Sequence, residues 1–236
     1  DWEQAAIAHA SLQARQNAGQ AIEAMQQFIT RKPDSRDARQ ALAQFLVTEK
    51  RYPEAREQYT ILLQASPDEP AILYPAAVLA LQTGDRENGR LQLEKLLRTN
   101  FPDKSTLHFF LGQIALEDKD PEIALTHFQQ VTAGERFIAA RARAASLLGE
   151  QGKTDSAIEL LRNTRGLTPA EQSQLAQAEA QLLRDTGQPH EAYQALERAL
   201  KSQPDNPELL YDAALSAERI QQYDTMERHL RTLLDK

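Results

Sequence analysis

No cysteine occurs in the 236 residues, which excludes disulfides, thiolate metal sites and a cysteine nucleophile. The absence suits the cytosol and equally a periplasmic protein without disulfides. Aromatic residues make up only 6% of the chain, and glycines number 9. Runs of alternating β-branched residues are almost missing, so essentially no sheet is expected. No apolar stretch reaches the length of a membrane span, and no signal peptide is visible. The sequence opens at Asp1 inside a helical pattern, without a methionine. The expectation is a fragment of a longer chain, with any targeting segment outside it. Positive charge is in deficit, 27 Lys and Arg against 34 Asp and Glu for a net charge of −7. A nucleic-acid binder usually carries a basic stripe, so no nucleic-acid partner is expected.

Catalytic signatures are missing too. There is no phosphate-binding loop and no glycine-rich strand–turn–helix. None of His9, His108, His127, His190 and His229 has a histidine four residues on. His190-Glu191 lacks the second histidine of a zinc-protease helix. Acid pairs such as Glu117-Asp118 fall at helix ends, where they are ordinarily solvated, and Asp155 is read as a helix cap. No enzyme, metal or cofactor is expected, and function must reside in surfaces.

What is present is helix-forming: Ala, Leu, Gln, Glu and Arg dominate. Proline followed by aspartate recurs at Pro33-Asp34, Pro67-Asp68, Pro102-Asp103 and Pro204-Asp205. The first two steps are 34 and 35 residues; Pro102 to Pro169 is 67 and Pro169 to Pro204 is 35. The segment LGQIALEDKDPEIALTHF, residues 111–128, shows one unit. Leu111-Gly112 sits in a first helix and Ala124 with Phe128 in a second. Small residues at 112 and 124 let two helices cross closely, and Phe128, one turn beyond Ala124 on the same face, fills the space beside them. The register recurs at Ala55, Tyr59 and Leu62, at Gly89, Leu93 and Leu96, at Ala157 and Leu161, and at Ala192, Leu196 and Ala199. The first unit gives Ala21, Met25 and Phe28; the last gives Met226, Leu230 and Leu233. Gly84, Gly152 and Gly187 mark turns between paired helices. Asp120-Pro121 reads as an N-cap followed by a first-turn proline.

This period and pattern resemble the tetratricopeptide repeat (TPR). The resemblance implies an all-α fold, a right-handed solenoid of about seven helix–turn–helix units near 1–33, 34–67, 68–102, 103–136, 137–169, 170–204 and 205–236, forming a single array over 1–236. It also implies a concave groove lined by the first (A) helix of each pair. By that register the protein-binding groove includes Tyr74, Val78, Leu81, Phe109, Gln113, Leu116, Gln177, Gln181, Arg184 and Tyr211. The apolar members would hold an extended peptide or a partner helix, and the glutamines would pair with its backbone; packing against neighbouring helices is the competing role for Val78, Leu81 and Leu116. Tyr74 and Phe109, at equivalent positions of adjacent repeats, are expected to be exposed anchors. The chaperone-type clamp for a peptide carboxylate is not there: its positions hold Gln40, Gln44, Tyr74, Val78, Phe109 and Gln113. Pro75 predicts a helix that either starts late, near Tyr74, which is the favoured reading, or bends there, because an interior proline removes a hydrogen bond and clashes with the preceding turn. In the last helix, part of the face bearing Met226, Leu230 and Leu233 is expected to stay uncovered by its own chain.

The stretch DNPELLYDAALSAERIQQYDTMERHLRTLL, with LHFFLGQIALEDKDPEIALTHFQQV, resembles a group of proteobacterial TPR proteins. Among them is the pseudomonad outer-membrane lipoprotein that serves as adaptor for a periplasmic carboxy-terminal processing protease degrading cell-wall hydrolases. The resemblance implies a scaffold with that protease and its substrates as partners. It also implies a periplasmic location and a lipid anchor on a cysteine outside this sequence, with a cytoplasmic site as the alternative. Other readings are an assembly factor for envelope machinery, pilus or lipopolysaccharide, and the TPR module of a larger enzyme.

Overall fold

The computed structural model describes residues 2–235, and among these residues it contains fourteen α-helices and no strand. They run in seven consecutive pairs: α1 (Trp2–Ala14) with α2 (Ala18–Arg31), α3 (Arg36–Thr48) with α4 (Tyr52–Ala65), α5 (Pro70–Gln82) with α6 (Arg86–Leu97), and α7 (Lys104–Glu117) with α8 (Pro121–Gln129). Next come α9 (Phe137–Glu150) with α10 (Thr154–Arg162), α11 (Pro169–Asp185) with α12 (Pro189–Ser202), and α13 (Pro207–Arg219) with α14 (Tyr223–Leu234). The chain forms two compact units, one up to Leu107 and one from His108. In the first, α2 packs on α3 and α4 on α5; in the second, α8 packs on α9, α10 on α11, and α12 on α13, while the A helices α9, α11 and α13 touch in succession. Within each unit, the hairpins named pack on their neighbours in sequence, as repeat stacking requires.

Local chemistry sets the ends of these helices. Asn17, Ser35, Asp85, Asp120, Thr168 and Asn206 each accept a backbone N–H at a helix start, and Thr168 with Glu171 completes a capping box. Asp155 does not cap: α10 begins one residue earlier, after Lys153, without a side-chain cap. Six of the seven A–B turns close in one way. The N–H donors of Arg51, Asp85, Asp120, Lys153, Gln188 and Gln222 reach the carbonyls of Leu46, Ala80, Ala115, Leu148, Leu183 and Ala217 at 2.7–2.9 Å. This closure needs a left-handed residue just before the donor. Gly84, Gly152 and Gly187 supply it with φ of 74–78°, but Lys50, Lys119 and Gln221 adopt φ of 59–63° without being glycine.

The repeat register describes the core. Ala21, Ala55, Ala124, Ala157 and Ala192 are wholly buried, and Met25, Tyr59, Leu93, Phe128, Leu161 and Leu196 beside them are at most 3% exposed. A Cβ at Gly112 would stand 2.8 Å from Phe128 Cε1 and 2.9 Å from its Cδ1, which answers why a glycine faces that ring. Phe109 departs from expectation. It is 8% exposed, and its ring lies edge-on to Phe128 at 5.8 Å with the Arg136 guanidinium 5.5 Å above it. It is therefore a second wedge in the same contact, not an exposed anchor.

Pro75 also departs from expectation. The helix begins at Pro70, not near Tyr74, and carries Pro75 in its interior. Proline at 75 leaves the carbonyl four residues back, that of Ala71, without its helical donor. Gln40 Nε2 of α3 donates to that carbonyl at 3.1 Å. A side chain from the preceding repeat thus replaces the lost bond, and the helix continues through the proline.

The last helix is amphipathic but thinly covered. Met226, Leu230 and Leu233 are half-buried, Leu234 is 82% exposed, and the residue α14 does bury is His229. Its Nε2 lies 2.8 Å from Glu197 Oε1, and its ring stands beside Tyr193. Burial pushes the His229 imidazole below its ordinary value, outweighing the pull of Glu197, with Arg228 acting in the same direction as burial.

Three outcomes follow from this packing. Gly112→Ala is expected to cost about 1 kcal/mol in denaturant unfolding, since overpacking of roughly 1–3 kcal/mol outweighs the helix-propensity gain of about 1 kcal/mol. In a Phe128→Leu background the same change should be neutral or stabilising; a stabilised Gly112→Ala single variant would show that the helices do not cross tightly there. Phe109→Ala is expected to lose about 3 kcal/mol or more, as buried aromatic truncations do, and unchanged stability would return the ring to the surface. For His229 the folded pKa lies below the unfolded one, so the unfolded chain binds the extra proton and stability falls as pH drops below about 6.5. Melting temperatures from about pH 7 to about pH 5 should therefore fall further for the native chain than for His229→Gln; parallel curves would discount the histidine.

Candidate protein-binding faces

Among the described residues no group of three metal-ligating side chains converges, and no helix is long and apolar enough to cross a membrane. The A helices of each unit carry the candidate positions. In the first unit Tyr74 is half-buried, its ring stacked on Phe101 at 5.2 Å and 24°. Leu81 is half-buried too. A Cβ at Gly89 would fall 2.5 Å from Leu81 Cδ2, so Leu81 fills the space that glycine leaves on α6. Val78 is half-buried. Expected groove anchors here are thus largely engaged in packing.

The second unit keeps Gln113 and Leu116 half-buried on α7, Leu116 against the core. Gln177, Gln181 and Arg184 come together on α11, but they are bonded within the chain. Gln177 Nε2 donates to Asp212 Oδ2 at 2.8 Å, Gln181 Nε2 to Asp185 Oδ1 at 2.6 Å, and Arg184 Nη2 to Gln181 Oε1 at 2.6 Å. Arg184 Nη1 also reaches Ser216 Oγ at 3.3 Å. Burial pushes the Arg184 guanidinium below its usual value, against the pull of Asp212. Gln177 and Arg184 therefore tie α11 to α13, while the Gln181 amide, also assigned to a ligand backbone, bonds to Asp185 and Arg184 within α11. Similar ties occur in the first unit, where Gln4 donates to Asp37 and Gln40 to Ala71.

Tyr211, assigned to the groove, is 50% exposed on α13. Leu215, one turn further, is 41% exposed and forms with it an apolar pair on an otherwise polar face. Sequence reasoning passed over Leu215, although its spacing from Tyr211 was the available signal. It also missed two polar arrangements. His108 and His127 place their Nδ1 atoms 3.0 Å apart between α7 and α8. Glu179, 7% exposed, sits among core residues of α11, and its Oε1 receives Arg162 Nη2 at 2.6 Å and Arg198 Nη2 at 2.7 Å. An acid spaced like a core residue was the sequence signal for the latter, since such an acid requires a partner.

Comparison with known proteins bears on the fold. A family model described as tetratricopeptide repeat matches residues 6–70 and 74–136, and a second with the same description matches residues 173–216. A TPR repeat-containing protein of Pseudomonas aeruginosa is 35% identical over 127 residues, a stretch that covers 54% of this chain and 22% of that protein. Among solved structures, YrrB, described as a TPR protein with an unusual peptide-binding site, superposes with a TM-score of 0.58 at 19% identity over 80% of this chain and 97% of its own. A tetratricopeptide repeat protein of Parabacteroides merdae gives 0.59 at 14% identity over 97% and 99%. Pseudomonas aeruginosa pilF gives 0.56 at 19% identity over 93% and 96%. The hairpin stacking, the wedge contacts and the matched segments, which span more than half of the sequence, agree: the chain belongs to the tetratricopeptide-repeat family.

Proposed function

We propose that the chain is a protein-binding adaptor that delivers cell-wall hydrolases to a periplasmic carboxy-terminal processing protease. The supporting observation is the α11–α13 face of the second unit. There the polar side chains are locked to one another, and the exposed pair Tyr211–Leu215 stands out as an apolar anchor. Preorganised polar surroundings with a few large apolar side chains are the composition of a protein-recognition surface. TPR membership supports the scaffold role. The adaptor role rests on the resemblance of residues 205–234, together with 107–131, to the proteobacterial group, and a periplasmic site of action follows from that role.

Reconstitution tests it. The purified chain, added to a carboxy-terminal processing protease and a cell-wall hydrolase, is expected to raise the rate of hydrolase degradation by about tenfold or more. Replacing both Tyr211 and Leu215 by alanine should remove most of that gain, about 1.4 kcal/mol for a tenfold effect, with helix content unchanged by circular dichroism. No acceleration by the native chain would reject the protease-adaptor role. Full acceleration by the double variant would move the docking surface elsewhere.

A further inference from the structure

Arginines gather in the second unit away from the α11–α13 face. Two clefts adjoin there. One, of about 360 Å³, lies among α10, α11 and α12 and is lined in part by Arg162, Arg165, Glu179 and Arg198. The other, of about 630 Å³, lies among the end of α8, α9 and α10 and is lined in part by Arg141, Glu159 and Arg165. Thr164 and Arg165 border both. The two linings together hold four arginines and two glutamates, a formal excess of two positive charges in a chain whose net charge is −7.

The bonding within the clefts leaves that charge unspent. Arg162 and Arg198 share a single carboxylate, Glu179, and both meet the same oxygen. Their side chains remain 51% and 48% exposed. A guanidinium carries five N–H donors; in this contact Arg162 uses Nε and Nη2, and Arg198 uses Nη2. Arg141 lies 4.9 Å over the Phe137 ring, and its buried Nε has no hydrogen-bond partner. Arg165 is exposed in the α10–α11 turn. Half-exposed arginines held in place by an acid or a ring are preorganised to receive further carboxylates in forked geometry.

We propose that these adjoining clefts bind an acidic peptide segment of a partner protein, its carboxylates meeting Arg141, Arg165 and the Arg162–Arg198 pair. The proposal rests on the reading of the chain as a protein-binding scaffold and adds a second surface to it, separate from the A-helix positions of the carboxylate clamp. A peptide suits the clefts better than a nucleic acid does. Glu159 and Glu179 interrupt the positive lining, so a peptide can set its separate carboxylates at the arginines and turn neutral residues toward those acids, which a continuous phosphate backbone cannot do; Gln129 and Asn163 also line the second cleft with amides for a peptide main chain.

Fluorescence anisotropy with the full chain tests this. The probes are a labelled octapeptide carrying four glutamates, the same peptide with glutamines, and a labelled single-stranded oligonucleotide. The acidic peptide is expected to bind, to weaken as salt is raised, and to outcompete both other probes. Arg165→Glu, an exposed substitution, should weaken it about tenfold, and Arg141→Gln should add to the loss, while Arg15→Glu on the other unit should change nothing. Absence of acidic-peptide binding, equal binding of the glutamine peptide, tighter binding of the oligonucleotide, or an equal loss in Arg15→Glu would each overturn the proposal. Hydrolase delivery that persists while the acidic peptide fails to bind would overturn this site alone. Acidic-peptide binding without hydrolase delivery would reject the adaptor role and keep the site.

Discussion

The close crossing of paired helices is the constraint on which the rest depends. A hairpin of two short helices buries little on its own, so it gains stability by letting its backbones approach and by filling the remaining space with one large side chain. At three positions the approach is so close that a single added methyl would collide: Gly112 with Phe128, Gly89 with Leu81, and Gly149 with Leu182. The third contact joins α9 to α11, two A helices of successive repeats. Intra-hairpin and inter-hairpin packing therefore use the same device, a missing side chain opposite a bulky one. The contact at Gly112 is the hardest, since three atoms of the Phe128 ring meet the added carbon, whereas at Gly149 the tip of Leu182 can turn aside.

Polar side chains act at a second level, by fixing the spacing between repeats. Gln4 to Asp37, Gln40 to the Ala71 carbonyl, Gln177 to Asp212 and Arg184 to Ser216 each span 31 to 35 residues, one repeat length. Each joins an A helix to the next. Hydrogen bonds of this kind contribute about 1 kcal/mol each, small beside the core, but they are directional where apolar packing is not. The Gln40 bond has the further role of occupying the carbonyl that Pro75 leaves unpaired. A helix can therefore keep an interior proline here because its neighbour in the array is close enough to complete it.

The repeats were legible in the sequence because they rest on local rules. Proline spacing, small residues opposite large ones and turn glycines all act within a single hairpin, and Ala21, Ala55, Ala124, Ala157 and Ala192 of the predicted contact register are buried, with Ala199 half-buried. Lys50, Lys119 and Gln221 occupy glycine-type turns that residue type alone does not announce. The faces were less legible because a helix in an array has more than one buried side. Phe109 and Leu81 sit on A-helix positions that read as groove-facing, yet adjacent elements cover them, and coverage is set by the crossing geometry and not by the helix's own period. The glutamines of α11 were recognised as polar and near the right place, but whether an amide meets a ligand or the next helix depends on a distance between helices. Pro75 was misjudged for a related reason: the compensating donor lies 35 residues away, in another repeat.

Specificity in such an array comes from departures from the repeat. A position that obeys the register is occupied by packing and cannot discriminate among partners. The departures fall in two places in the second unit. Tyr211 and Leu215 are exposed and apolar on an A helix whose polar neighbours are bonded to one another. Glu179 is an acid at a core position, and it holds Arg162 and Arg198 at the mouth of a cleft. Removing both arginines and replacing Glu179 with leucine would suit the core at least as well, since a buried ion pair seldom exceeds an apolar replacement in stability. Packing alone therefore does not account for the triad. Its remaining property is the one a binding surface needs: two cations held in fixed positions with donors to spare.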